Sequence, residues 1–159
     1  MNLGKIIFLI KNKVNCVCEK IERRESAKNF LYQRYHGDCQ ITCIGMILNW
    51  EYEQVKKAFD KKLSKILKSK MKCVDIIKFL KQNGKVINKY GQTRQKIEVF
   101  VDSLSKQTLL LVSDPYTHFV LFQNGKILDP ERGVFDAKSY NLFKKVVYFI
   151  EIDQSMPEI

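Results

Sequence analysis

The chain has 159 residues, of which 45% are hydrophobic and 11% aromatic, and its formal net charge is +11. This length and apolar content are typical of one domain with its own core, and they exclude an intrinsically disordered chain. The positive charge favours an acidic partner such as nucleic acid. However, the basic residues are spread along the chain and are better explained as solvated lysines on the protein surface.

An amphipathic helix is predicted at the start of the chain. Its apolar residues recur every three or four positions, at Leu3, Ile7, Ile10, Val14, Val17 and Ile21. We expect this helix and its connection to occupy residues 1–32, one globular domain to occupy 33–152, and a tail to occupy 153–159. The first apolar run, 6–10, is too short to span a membrane and precedes no signal cleavage site.

Three helices are predicted in the first half of the domain. The first begins at Cys39 or Gln40, after a turn, and ends near Trp50; it is apolar nearly all round and should be buried. The second covers about residues 51–61, and the third ends at Asn83-Gly84, a C-terminal cap. The predicted core residues of the second and third helices are Val55, Ala58, Phe59, Val74, Ile77, Phe79 and Leu80.

After Gly84 the pattern changes from helical to extended. The predicted strands contain residues 86–87, 109–112, 119–122, 126–128 and 146–150, with a short helix at 97–104. Asn124-Gly125, between two apolar runs, predicts a two-residue β-hairpin turn. The expected fold class is therefore α+β, with a helical first half that packs on an antiparallel sheet.

The cysteine at the start of the first domain helix is a candidate nucleophile. The helix N-terminus at Cys39 favours a thiolate. Gln33, six residues upstream, carries an amide that can donate to the oxyanion formed when a carbonyl is attacked. Further along the chain, His118 can act as a base, and Asp129 can orient it.

The hairpin allows a geometric test of the candidate base and acid. If residues 124–125 form the turn, His118 faces Glu131 and Val120 faces Asp129. His118 and Asp129 are then diagonal neighbours on one face of the sheet, where long or aromatic side chains can meet. The register therefore predicts a His–Asp pair.

These residues resemble the bacteriocin-processing cysteine peptidases, which cut leader peptides after a double glycine and have a papain-like fold. The resemblance covers about residues 33–152. It implies that Cys39 is the nucleophile, His118 the general base, Asp129 the orienting acid and Gln33 the oxyanion donor. The activity it implies is cleavage of a peptide, isopeptide or other amide bond through a thioester, with a peptide or protein substrate and no cofactor.

Two other functions remain open. The chain has Gln40 where the family normally has glycine after the nucleophile, which keeps open a catalytically silent papain-like module that binds a peptide or protein. The net charge alone suggests a basic nucleic-acid-binding protein, but no recognition motif supports it. Five cysteines cannot all pair, and this odd number together with the absence of an evident secretory signal favours a cytoplasmic location.

Several polar residues also have ordinary explanations. Cys39 can be a buried core cysteine, as is assumed for Cys43 and Cys73. Asp38 is placed to cap the helix that follows it, and His36 lies in the preceding turn. A zinc site is disfavoured because the cysteines that could form it have spacings that fit no common pattern. They are Cys16, Cys18, Cys39 and Cys43.

Overall fold

The computed structural model describes residues 30–32, 34, 37–63, 72–113 and 115–153. The predicted N-terminal helix, Gln33, His36 and residues 154–159 of the predicted tail lie outside the described residues. The predicted division of the chain into three parts stays a prediction. No helix within the described ranges is long and apolar enough to cross a lipid bilayer.

Three helices form the first half of the described chain. They are α1 (Cys39–Leu48), α2 (Tyr52–Leu63) and α3 (Cys73–Gln82), close to the predicted positions. All of α1 is buried except Gln40 and Leu48, which are half-buried. An apolar helix of this kind is stable only between other elements, and α1 packs against α2 and against a central strand of the sheet.

The ends of the helices show one confirmed prediction and one wrong one. Gly84, with φ +79°, follows α3, and the N–H groups of Lys85 and Gly84 donate to the Leu80 and Lys81 carbonyls at 3.0 and 3.2 Å. These two bonds make the predicted glycine cap. The Asp38 carboxylate makes no hydrogen bond to the start of α1, so the predicted aspartate cap is wrong.

One predicted core position of α3 is also wrong. Val74 is 53% exposed, whereas Ile76 and Leu80 are fully buried. Val74 lies in the first turn of α3, which borders an open cleft. Ile77 and Phe79 are buried, as predicted.

The second half of the chain forms one antiparallel sheet with the strand order β1-β6-β2-β3-β4-β5. The strands are β1 (Val86–Gln92), β2 (Gln107–Ser113), β3 (His118–Gln123), β4 (Lys126–Asp129), β5 (Gly133–Asp136) and β6 (Lys145–Asp153). A short helix, α4 (Ile97–Asp102), precedes β2 as predicted. Strand β5 was not predicted, because this four-residue edge strand has no alternating apolar pattern. Helices and sheet together make an α+β domain.

The β3–β4 hairpin sets the position of the candidate site. Asn124 and Gly125 have φ values of +50° and +72°, as a type I′ turn requires. Leu121 pairs with Leu128, which is the predicted register. This register puts the start of β3 beside the end of β4, where His118 and Asp129 lie.

Candidate active site

Cys39 and His118 meet where α1 begins and β3 begins. Cys39 is the first residue of α1 and is 8% exposed. Its thiol lies beside the ring of His118, the first residue of β3, close enough to raise the pKa of the imidazole. The two residues are distant in sequence but come together because α1 packs against β3.

The ring of His118 is held on its other side by Asp129. The His118 Nε2 lies 2.9 Å from Asp129 Oδ1, and both side chains are buried. This is the diagonal contact that the hairpin register predicts. Because Nε2 is engaged by the carboxylate, Nδ1 is the ring nitrogen left for the thiol of Cys39.

Both oxygens of the Asp129 carboxylate accept hydrogen bonds from neighbouring groups. Oδ1 also accepts hydrogen bonds from the backbone N–H groups of Glu131 and Arg132, at 2.9 and 3.3 Å. Oδ2 accepts a hydrogen bond from the Tyr140 hydroxyl at 2.8 Å. A fully buried carboxylate needs such donors. They fix its orientation, and with it the plane of the His118 ring.

Aromatic side chains enclose the imidazole. The Phe143 ring stacks on His118 with the centroids 5.4 Å apart and an interplanar angle of 13°. Tyr116 approaches the same ring edge-on at 6.1 Å. These rings exclude water from the His118–Asp129 pair and so strengthen its electrostatic attraction.

Neither Tyr140 nor Phe143 was predicted as a site residue. Both follow a 3₁₀ turn, Ala137–Ser139, that returns the chain toward Asp129. No spacing marks them. The available clue is general: a buried tyrosine hydroxyl usually has a hydrogen-bond partner.

The two charges of the pair stabilise each other. Burial lowers the pKa of His118, but the hydrogen bond to Asp129, the interaction with the neighbouring Cys39 thiol and the negative charge of Asp129 outweigh burial and raise the pKa to about 9. Burial raises the pKa of Asp129, but the hydrogen bonds from His118 and Tyr140 lower it overall. Burial, and then the negative charge of Asp129, raises the pKa of Tyr140, so its hydroxyl stays a donor.

We expect the protein to lose stability as the pH rises from about 6.5 through about 9. The pKa of His118 rises from 6.5 to about 9 on folding, so its stabilisation is complete below pH 6.5 and is lost as the pH passes through the folded value. A shift of this size corresponds to a loss of about 2–3 kcal/mol between the two pH values. Urea unfolding at both pH values should show a larger loss for the wild type than for His118→Gln; an equal loss would contradict the assignment.

An open cleft of about 1390 Å³ lies beside the Cys39–His118 pair. Gln40, Val74 and Tyr148 are among its lining residues. Cys73 also lines it and is half-buried, so its prediction as a buried core cysteine is wrong, because the first turn of α3 borders the cleft. Cys43 is fully buried, as predicted, and its thiol donates to the Phe119 carbonyl at 3.6 Å.

The remaining candidate residues have different outcomes. Gln33, the predicted oxyanion donor, and His36 lie outside the described residues, as do Cys16 and Cys18. Within the part of the chain that the structure describes, no group of three or more His, Cys, Asp or Glu side chains could hold a metal ion.

Comparisons with known proteins show a fold and no family. No protein-family model matches the sequence, and no curated protein matches it. Among solved structures, the fold is similar to that of a double glycine motif protease from an AMS/PCAT transporter, whose crystal structure was determined in complex with the leader peptide. The TM-score is 0.53 and the identity 15%, over 77% of this chain and 89% of that chain. At this identity the likeness shows the fold alone: an α+β domain related in architecture to a peptidase.

Proposed function

We propose that this protein is a papain-like cysteine peptidase that cleaves a peptide, isopeptide or other amide bond through a thioester intermediate. The observation that carries the proposal is that Cys39 lies beside the ring of His118 at the edge of the cleft, while Nε2 of the same ring is hydrogen-bonded to the buried Asp129. A nucleophile, a base in contact with it and a group that orients the base are the elements of this chemistry.

The proposed mechanism is acyl transfer to water. His118 takes the proton of the Cys39 thiol, and the sulfur attacks the substrate carbonyl carbon to form a tetrahedral oxyanion. The Gln33 amide and the backbone N–H of Cys39 stabilise this oxyanion. His118 gives its proton to the leaving amine, which leaves a thioester on Cys39. Water, activated by His118, then hydrolyses the thioester.

Asp129 supports this chemistry without reacting. Its bond to Nε2 fixes the tautomer that leaves Nδ1 facing the sulfur, and its charge stabilises the imidazolium. A positive imidazolium beside the sulfur in turn stabilises a thiolate.

We propose that the substrate is a peptide or a segment of a protein. The cleft, at about 1390 Å³, is larger than the roughly 300–1,000 Å³ of most small-molecule sites. The similar protease was crystallised with its leader peptide, and we extend peptide binding from that protein to this chain.

Thiol labelling tests the proposed nucleophile. The protein is treated with iodoacetamide near neutral pH, and alkylation of each cysteine is followed by mass spectrometry. We expect Cys39 to react about 10²-fold faster than the other cysteines, which are Cys16, Cys18, Cys43 and Cys73. Capture of Cys39 by a library of peptide electrophiles would then report which peptides the cleft accepts. Equal rates at all cysteines, or fastest labelling at Cys73, would contradict the proposal.

Gln40 supports one alternative. Its half-buried side chain lines the cleft directly after Cys39, where the resemblance calls for glycine. A side chain at this position can obstruct a scissile bond and leave a module that binds peptides without cleaving them. Peptide binding to a protein that neither hydrolyses peptides nor labels selectively at Cys39 would favour this alternative.

A further inference from the structure

A buried tyrosine on α2 contacts the residue that precedes the proposed nucleophile. Tyr52, the first residue of α2, is 2% exposed. Its hydroxyl donates a hydrogen bond to Oδ2 of Asp38, which directly precedes Cys39. An aspartate before a helix ordinarily accepts from an N–H group in the first turn. Here the carboxylate bonds to Tyr52 and makes no such bond to α1.

The same tyrosine also contacts the other end of the segment that leads to Cys39. The Arg34 guanidinium lies over the Tyr52 ring, 4.8 Å from its centroid, and pairs with Glu53 of α2 at 2.7 Å. Tyr52 therefore contacts both Arg34 and Asp38. Within this segment, Gly37 lines the cleft and has a φ of +94°, a conformation that glycine adopts without strain.

We propose that Tyr52 is a positioning residue of the peptidase reaction. It holds Asp38, and with it the start of α1, so that the backbone N–H of Cys39, a proposed oxyanion donor, keeps its position relative to the reacting carbonyl. This inference rests on the proposed function. Its physical basis is that oxyanion donors act through preorganisation, and a displacement of about 1 Å can cost about 10² in rate.

The hydrogen bond and the ring of Tyr52 can be tested separately. Tyr52→Phe removes the donor to Asp38 but keeps the ring that packs in the core and underlies Arg34. We expect kcat to fall about 10- to 10²-fold, with KM and the iodoacetamide alkylation rate of Cys39 each within about twofold of the wild type. Alkylation needs the nucleophile but no oxyanion donor, so comparing kcat with the alkylation rate separates positioning of the oxyanion donor from damage to the Cys39 thiol.

A double-mutant cycle then tests whether Tyr52 acts through Asp38. We expect the same fall in kcat for Tyr52→Phe, for Asp38→Ala and for the double variant, because each of them removes the same Tyr52–Asp38 hydrogen bond. Glu53→Gln should change kcat less than twofold, because its ion pair with Arg34 is exposed. Tyr90→Phe, on the exposed face of β1, should match the wild type.

The assay uses quenched fluorogenic peptides with two glycines before the scissile bond, and thermal unfolding confirms that each variant is folded. An unchanged kcat for Tyr52→Phe, or equal falls in kcat and in Cys39 alkylation, would overturn the positioning role while leaving the peptidase assignment intact. A wild type that hydrolyses no peptide and shows no selective Cys39 alkylation would instead refute the proposed function, and this inference with it.

Discussion

Cys39→Ala should abolish turnover, with kcat/KM at least about 10⁴-fold below the wild type, in a protein that remains folded. The proposed reaction forms its covalent intermediate on the Cys39 sulfur, and alanine offers no nucleophile. The change removes one atom at the start of α1, where alanine has the best helix propensity. Peptide hydrolysis measures the first effect, and circular dichroism with thermal unfolding measures the second.

Cys43→Ala is the matched control. Cys43 lies one turn further along α1, is fully buried and donates to the Phe119 carbonyl. Its loss should lower the unfolding temperature through a small cavity, while kcat/KM stays close to the wild-type value. Hydrolysis that survives Cys39→Ala would refute the assignment of the nucleophile.

His118→Ala should reduce kcat almost as much as Cys39→Ala. Without the base, the Cys39 thiol has no group to receive its proton, and the leaving amine has no donor. The nucleophile and its base act as one unit, so the double variant should be no slower than either single variant. Hydrolysis rates of the three variants, measured with one fluorogenic peptide, provide the comparison.

Folding must be separated from catalysis in this experiment. His118→Ala also leaves the buried Asp129 carboxylate without its charged partner, a change that typically costs about 3–5 kcal/mol. His118→Gln keeps a donor for Asp129 and should fold more stably, with the same loss of activity. His36→Ala should retain activity; an enzyme indifferent to His118 but dependent on His36 would contradict the triad.

The sequence predicted the features that depend on neighbouring residues. Apolar periodicity located α1 to α3, and the glycine cap of α3 followed from Asn83-Gly84. The Asn124-Gly125 turn fixed the register of the hairpin, because a two-residue turn determines which residues face each other. That register was enough to predict the contact between His118 and Asp129.

Only the tertiary structure decided the contacts between residues that are far apart in the sequence. Tyr140 reaches Asp129 and Phe143 covers His118 because β5 and the 3₁₀ turn bring them back. No local sequence pattern predicts these two contacts.

The orientation of Asp38 was decided in the same way. The capping rule considers only the helix that directly follows an aspartate, here α1. The Tyr52 hydroxyl belongs to α2, and it donates its hydrogen bond to the Asp38 carboxylate instead. The exposure of Val74 likewise depends on what packs against the first turn of α3, where a cleft replaces the core. Local sequence thus determined the helices and the hairpin register. Packing between distant segments determined which groups surround the candidate triad, because burial and hydrogen-bond partners arise only when those segments come together.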